Sequence, residues 1–148
     1  MSNRTALPLE KVRYMRDHCL CLAAQRAARA LARRFDDALR PVGLTSWQFS
    51  LLMSLNRPER PSMGSVAALL GVDRTTLTAS LKRLERRGLV RTTVHAADRR
   101  SRRLSLTSAG RKALRAALPI WERTHDEVDR LLTRREGADV RAALRALS

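Results

Sequence analysis

Aromatic side chains are scarce in this sequence, only 3% of its 148 residues. An interior poor in rings must be filled by leucine, alanine and valine, which favours packed helices. Cysteine is nearly absent too. Cys19 and Cys21 stand two positions apart, and on a helix such residues point about 200° away from each other. A disulfide between them is therefore excluded unless the helix unwinds. His18, His95 and His125 are far apart, which leaves too few ligands for a four-coordinate zinc site. No stretch approaches the roughly 18 consecutive apolar residues that cross a bilayer. The opening segment, MSNRTALPLEKVRYMRDH, lacks the apolar centre of a secretory signal, so a cytoplasmic location is expected. Also missing are a Ser/His/Asp spacing, a phosphate-cradling glycine loop and a metal cluster. Neither an enzyme nor a bound cofactor or metal is expected.

Acidic side chains are outnumbered. There are 14 against 30 basic ones, a formal charge of +16. Arginine exceeds lysine 27 to 3, and its planar fork suits bidentate contact with phosphates and base edges. A solvated surface seldom needs such an imbalance; a polyanionic partner does. Membrane surfaces are polyanionic as well, so charge alone does not choose between them and nucleic acid.

Helical signals dominate the chain. From Leu9 to Leu39 there is neither Gly nor Pro, which predicts one long helix ended by Pro41 and Gly43. It carries two apolar lines, one through Val12, Met15, Cys19 and Leu22, the other through Tyr14, Cys21, Leu31, Phe35 and Leu39. A helix with two apolar faces is sandwiched between partners. Thr45 and Gln48 form a capping box for SWQFSLLMSL, Ser62 caps MGSVAALLG, and Asp73 caps a helix from Arg74 to Arg87 with Leu77, Leu81 and Leu84 inside. The period then changes to two. LVRTTV and RRLSLT flank an arginine cluster, predicting a two-stranded hairpin with a long loop. A last helical region carries Leu114, Leu118, Trp121, His125, Val128 and Leu132, is interrupted by Pro119, and is followed by a Thr133–Glu136 capping box and the apolar edge Val140, Leu144, Leu147. The fold class is mainly α with a small β-hairpin. Residues 45–107 form a compact unit, and helices in 1–44 and 108–148 expose stripes that need each other or a second chain.

The segment SVAALLGVDRTTLTASLKRLERRGLV has the spacing of a helix-turn-helix: small Ala67 where helices cross, Gly71 at the turn, Leu77 anchoring the second helix. That helix begins Arg74-Thr75-Thr76-Leu77-Thr78, with short hydrogen-bonding groups on the part of a recognition helix that reads base edges in the major groove. Lys82, Arg83, Arg86 and Arg87 follow and suit phosphates. From Asp73 to Arg103 there are ten basic and three acidic residues. The cluster DRRSRRLSLT, from Asp98 to Thr107, then reads as a wing whose Arg99, Arg100 and Arg102 enter a minor groove, where the potential is most negative. Asp98 is expected to pair with Arg100. A charged, solvated helix followed by an ordinary hairpin is the bland alternative.

GLTSWQFSLL, VAALLGVDRTTLTASLKRLERRGLV and DRRSRRLSLTSAG together resemble the MarR family of winged helix-turn-helix regulators over nearly the whole chain. The last resembles the family's D-x-R…LT-x-x-G pattern. The resemblance implies a sequence-specific repressor, an obligate homodimer with intertwined outer helices, a pseudo-palindromic double-stranded operator and no membrane. It departs at Ala79, where many relatives carry arginine, so base preference there does not transfer. It also implies a small aromatic ligand or an oxidant as effector, sensed near His18, Cys21, Gln25 and Trp47, with Trp121 and His125 as further candidates. CLCLAAQRA resembles the sensor-cysteine helix of the family's organic-hydroperoxide repressors, with Cys21 at the reactive position. Tyr14 is the only tyrosine and lies upstream, unlike the downstream tyrosines of those relatives. Buried packing of both thiols, and of Trp47 and His125, is the structural alternative. A DNA-organising protein of low specificity is the alternative function; Thr75, Thr76 and Thr78 argue for specificity.

Overall fold

The computed structural model describes residues 6–148, except the side chains of His95, Asp98, Arg99, Arg100, Arg134 and Arg135. The chain divides into two compact units, Met1–Arg34 and Phe35–Ser148. In the first, α1 spans Leu9–His18 and α2 begins at Leu20, running to Leu39 across the division. The expected single helix therefore breaks at Cys19, whose ψ of 101° is extended. Cys19 closes one helix and opens the next. Its N–H donates to the Met15 carbonyl at 2.9 Å, and its Sγ accepts the Leu22 N–H at 3.3 Å. No Gly or Pro marks the place, because the cap is a thiol. The helical geometry that pointed Cys19 and Cys21 apart does not hold at this junction.

In the second unit, a single 3-10 turn, Arg40–Val42, leads into α3, Ser46–Leu55, and α4, Met63–Leu70, which is followed by α5, Arg74–Arg86. The caps fall where side-chain chemistry places them. Thr45 and Gln48 form the capping box of α3, Ser62 caps α4 and Asp73 caps α5. Gly71 and Gly88 take positive φ, 64° and 68°, closing α4 and α5. After each, the next N–H reaches back to the helix: Val72 to the Ala67 carbonyl and Leu89 to that of Leu84, the Schellman pattern that glycine permits.

Strands β1, Val90–His95, and β2, Asp98–Leu106, pair antiparallel with Val90 opposite Leu106 and Val94 opposite Arg102. The long loop expected between them is a tight turn at Ala96 and Ala97. The arginines sit on β2 itself, beside an irregularity where His95 pairs with Asp98. Extended backbone accommodates Arg102 and Arg103 because their successive side chains leave on opposite faces. A bridge from Ser62 to Arg103 and the Leu104 N–H to Pro61 carbonyl bond, 3.0 Å, tie the hairpin to the start of α4.

Helix α6, Ser108–Asp129, passes through Pro119, and α7, Arg134–Ala146, follows the Thr133–Glu136 capping box. The core of this unit is leucine: Leu39, Leu51, Leu52, Leu77, Leu84 and Leu104 are each 0% exposed. Full burial of such a side chain is worth about 1.5–3 kcal/mol. Phe49 and Trp121 stack at 5.9 Å across α3 and α6. Apolar side chains stay exposed on α1 and α2 (Val12, Met15, Leu20, Leu31) and toward the end of the chain (Leu118, Val140, Leu144, Leu147). Among the described residues no helix is long and apolar enough to cross a membrane.

Thr107 joins α6 to the turn after α5. Its N–H donates to the Leu89 carbonyl at 3.1 Å, its hydroxyl donates to the Gly88 carbonyl at 2.6 Å and accepts the Gly110 N–H at 3.0 Å. Gly110 lies so close that a Cβ there would stand 2.0 Å from the Leu89 carbonyl oxygen. Backbone, not a flexible side chain, is the obstacle. Gly110→Ala is expected to destabilise the protein by about 1–3 kcal/mol or more, whereas Gly64→Ala, where the nearest atom to a Cβ is the Ser62 hydroxyl at an ordinary 3.9 Å, should not. Urea unfolding of both variants checks this.

Candidate nucleic-acid interface

Burial of Leu77, Leu81 and Leu84 fixes the orientation of α5. Arg74, Thr75, Thr76, Thr78, Lys82 and Arg83 are all exposed. The three threonines are not equivalent. The Thr76 hydroxyl donates to Asp73 Oδ2 at 2.9 Å, beside the 2.7 Å bond from its N–H to Oδ1. The Thr78 hydroxyl donates to the Arg74 carbonyl at 2.7 Å. Thr75 alone among them keeps a hydroxyl with no partner among the described residues, so it is free to donate outward. The N–H and then the hydroxyl of Thr76, both donating to it, hold the Asp73 carboxyl below its ordinary range.

Between α5 and the hairpin lies a groove of about 520 Å³, with Arg74, Thr78 and Lys82 on the helix side and Thr92 and Arg102 on the strand side. Cationic groups thus stand on both walls. Among the described residues Glu85 is the one acid lining it, and its carboxylate accepts a hydrogen bond from the Thr92 hydroxyl. That bond ties the hairpin to α5 and occupies the carboxylate. Neither residue was singled out from the sequence. The available signal was an acid set among ten bases, one position past the buried leucine line, facing an inward-alternating threonine.

Other basic residues have different work. Arg87, expected to reach phosphate, donates to the Gly43 carbonyl at 2.8 Å and to Gln48 Oε1 at 3.1 Å, clamping the end of α5 to the turn before α3. Arg83 is exposed but does not line the groove. Arg99 and Arg100 lie on β2, with side chains outside those described, as is the expected Asp98–Arg100 pair.

The candidate sensing residues fall in separate units. His18, Cys21 and Gln25 belong to the first. Gln25 Nε2 donates to Cys21 Sγ at 3.3 Å, while the His18 ring turns away, donating to the Tyr14 carbonyl at 2.9 Å and stacking on Tyr14 at 4.1 Å. Both thiols are free and exposed. Trp47 belongs to the second unit, half-buried, its indole N–H donating to Ser80 Oγ at 2.9 Å. It is a strut against the back of α5. His125 is flanked by Trp121, at 4.8 Å, and Phe35, at 6.2 Å, with Nδ1 3.6 Å from Asp129. The guanidinium of Arg141, 3.0 Å away, keeps the Asp129 carboxyl below its ordinary range.

Comparison with known proteins places this geometry. The profile of the MarR family matches residues 42–101. The transcriptional regulator HosA of Escherichia coli O127:H6 is 36% identical over 92 residues, covering 55% of this chain and 67% of HosA. The Mycobacterium tuberculosis transcriptional regulator MosR, solved in complex with DNA, is 41% identical, with a TM-score of 0.75 over 88% of this chain and 98% of MosR. The transcriptional repressor CouR, bound to a 23-mer DNA duplex, is 30% identical, with a TM-score of 0.81 over 97% of this chain and 99% of CouR.

The cap carries a pH dependence. Because the folded Asp73 carboxyl sits below its unfolded value, the cap stabilises α5 fully above the unfolded value of about 3.9. That support is lost as pH falls through the depressed folded value. Protection of the Thr76 amide against hydrogen exchange should fall over that interval, and Asp73→Ala should show the low-pH behaviour already at neutral pH.

Proposed function

The chain belongs to the MarR family and is a DNA-binding transcriptional regulator, and from that premise we propose that it is a homodimeric repressor of a pseudo-palindromic operator. The carrying observation is the groove with cations on both walls beside the outward face of α5. In this reading Arg74, Thr75, Thr76 and Thr78 meet base edges in the major groove. Thr75 donates freely, while Thr76 and Thr78, their protons committed, accept from base amino groups. Lys82 and Arg83 take phosphates, and Arg99, Arg100 and Arg102 follow the hairpin to the neighbouring minor groove. MosR and CouR, both solved on DNA, support this docking. Residues 45–107 are the reader, and 1–44 and 108–148 build the dimer.

The exposed apolar side chains of α1, α2, α6 and α7 support dimerisation. Two-fold symmetry would set two α5 helices about one helical turn of DNA apart. Release by a small aromatic ligand or an oxidant acts by changing that separation. Exposure of both thiols beside the Cys19 break supports the oxidant. Trp47 supports transmission, since its bond to Ser80 makes α5 move with α3.

A titration of operator and random duplexes at fixed salt tests the reading. Two chains per operator and a ratio of affinities of about 10³ or more are expected; equal affinities would leave only a charge-driven DNA organiser. Thr75→Ala should weaken operator binding by about 1 kcal/mol and relax selection at one base position in a randomised library. Cys21→Ser should bind operator normally yet stay bound when peroxide releases the parent protein; unchanged release would remove the thiol from the switch.

A further inference from the structure

The hairpin has a second basic face. Strand alternation sends Thr92 and Arg102 toward α5, so Arg91, Thr93 and Ser105 occupy the opposite side. That side bounds a separate cleft of about 460 Å³, closed by Arg57 and Arg60 of the α3–α4 loop and by Arg111 in the first turns of α6. Among the described residues four arginines line it and no acid does. Side-chain donors hold backbone that lines it: Arg111 Nη1 donates to the Leu106 carbonyl at 2.9 Å, and Arg103 Nη1, from outside the cleft, to that of Arg60 at 3.4 Å. Arg57, Arg60 and Arg91 make no ion pair among the described residues.

We propose that this cleft binds a small, multiply charged anion bearing phosphate or carboxylate groups. Like charges gathered around one concave site repel one another unless a counter-charge enters, and guanidinium forks match the oxygens of both groups. The volume suits a small molecule rather than a single ion. Ser105 and Ser108 add hydroxyl donors. The face turned away from α5 leaves these arginines outside the groove assigned to DNA. Arg91 is one residue from Thr92, whose hydroxyl holds Glu85 of α5, so an anion here bears on the hairpin from behind.

Calorimetric titration of the full chain without DNA tests the site, using pyrophosphate in one arm and citrate in the other. Saturable binding near one per chain is expected for at least one of them, and the arm that binds identifies phosphate or carboxylate. Arg57→Gln/Arg91→Gln should weaken it about ten-fold or more, the worth of one charge-assisted bond. Arg29→Gln/Arg33→Gln, removing equal charge from α2, should leave it nearly unchanged. The proposal is overturned if neither anion binds, or if both double variants lose affinity equally, which would mean diffuse attraction to net charge. It is also overturned if the cleft variant loses operator affinity while anion binding persists, which would make the cleft a DNA-phosphate contact. Because anions are titrated without DNA, failure here leaves the operator reading standing.

Discussion

Leu77, Leu81 and Leu84 bury one side of α5 against α4 and β1, and that burial turns Arg74, Thr75, Thr78 and Lys82 the other way. Everything at the interface depends on this orientation. A rotation of the helix by one residue would put leucine into water and guanidinium into the core, costing several kcal/mol on each count. The Asp73 cap and Gly71 set where the helix begins, and Arg87 and Gly88 set where it stops. The Thr92–Glu85 bond then holds the hairpin at its side. The reading surface is rigid because its back is a packed leucine core.

Charge is the second constraint. Thirty basic side chains cannot be paired internally by 14 acids, which leaves a net +16, so the fold distributes the excess. β2 sends Arg102 to the α5 groove and Arg103 to the other face, where its guanidinium meets a backbone carbonyl. Arg87 likewise donates to the Gly43 carbonyl, while Arg111 both donates to the Leu106 carbonyl and lines the cleft behind the hairpin. Arginine here has two uses: structural clamps that stitch turns together, and uncompensated cations facing clefts. Adjacent Arg102 and Arg103 are accommodated by geometry, since alternation along a strand separates neighbours that a loop would crowd.

Much of the second unit was legible. The capping boxes at Thr45 and Thr133, the caps at Ser62 and Asp73, and the turns at Gly43, Gly71 and Gly88 each follow from a local rule. In each, one side chain satisfies an N–H three residues on, or one glycine takes a positive φ. The leucine spacing of α5 is likewise local. The break at Cys19 was not legible, because a thiol accepting the Leu22 N–H leaves no Gly or Pro in the sequence. The hairpin turn was misplaced because like charge reads as loop, whereas pairing with β1 draws the arginines into the strand. Thr76 and Thr78 looked equivalent to Thr75 until their hydroxyl partners were visible.

Composition, caps and periodicity by themselves determined the element order from α3 onward, the buried face of α5 and the polyanionic partner, since each rests on interactions within a few residues or on net charge. Only the tertiary structure decided which cations remain available. Arg87 is spent on Gly43, 44 residues away, Glu85 is drawn to Thr92, and Arg91, Arg57, Arg60 and Arg111 are gathered around one cleft. Such pairings depend on which distant backbone a flexible side chain finds within reach, and no local pattern encodes that distance.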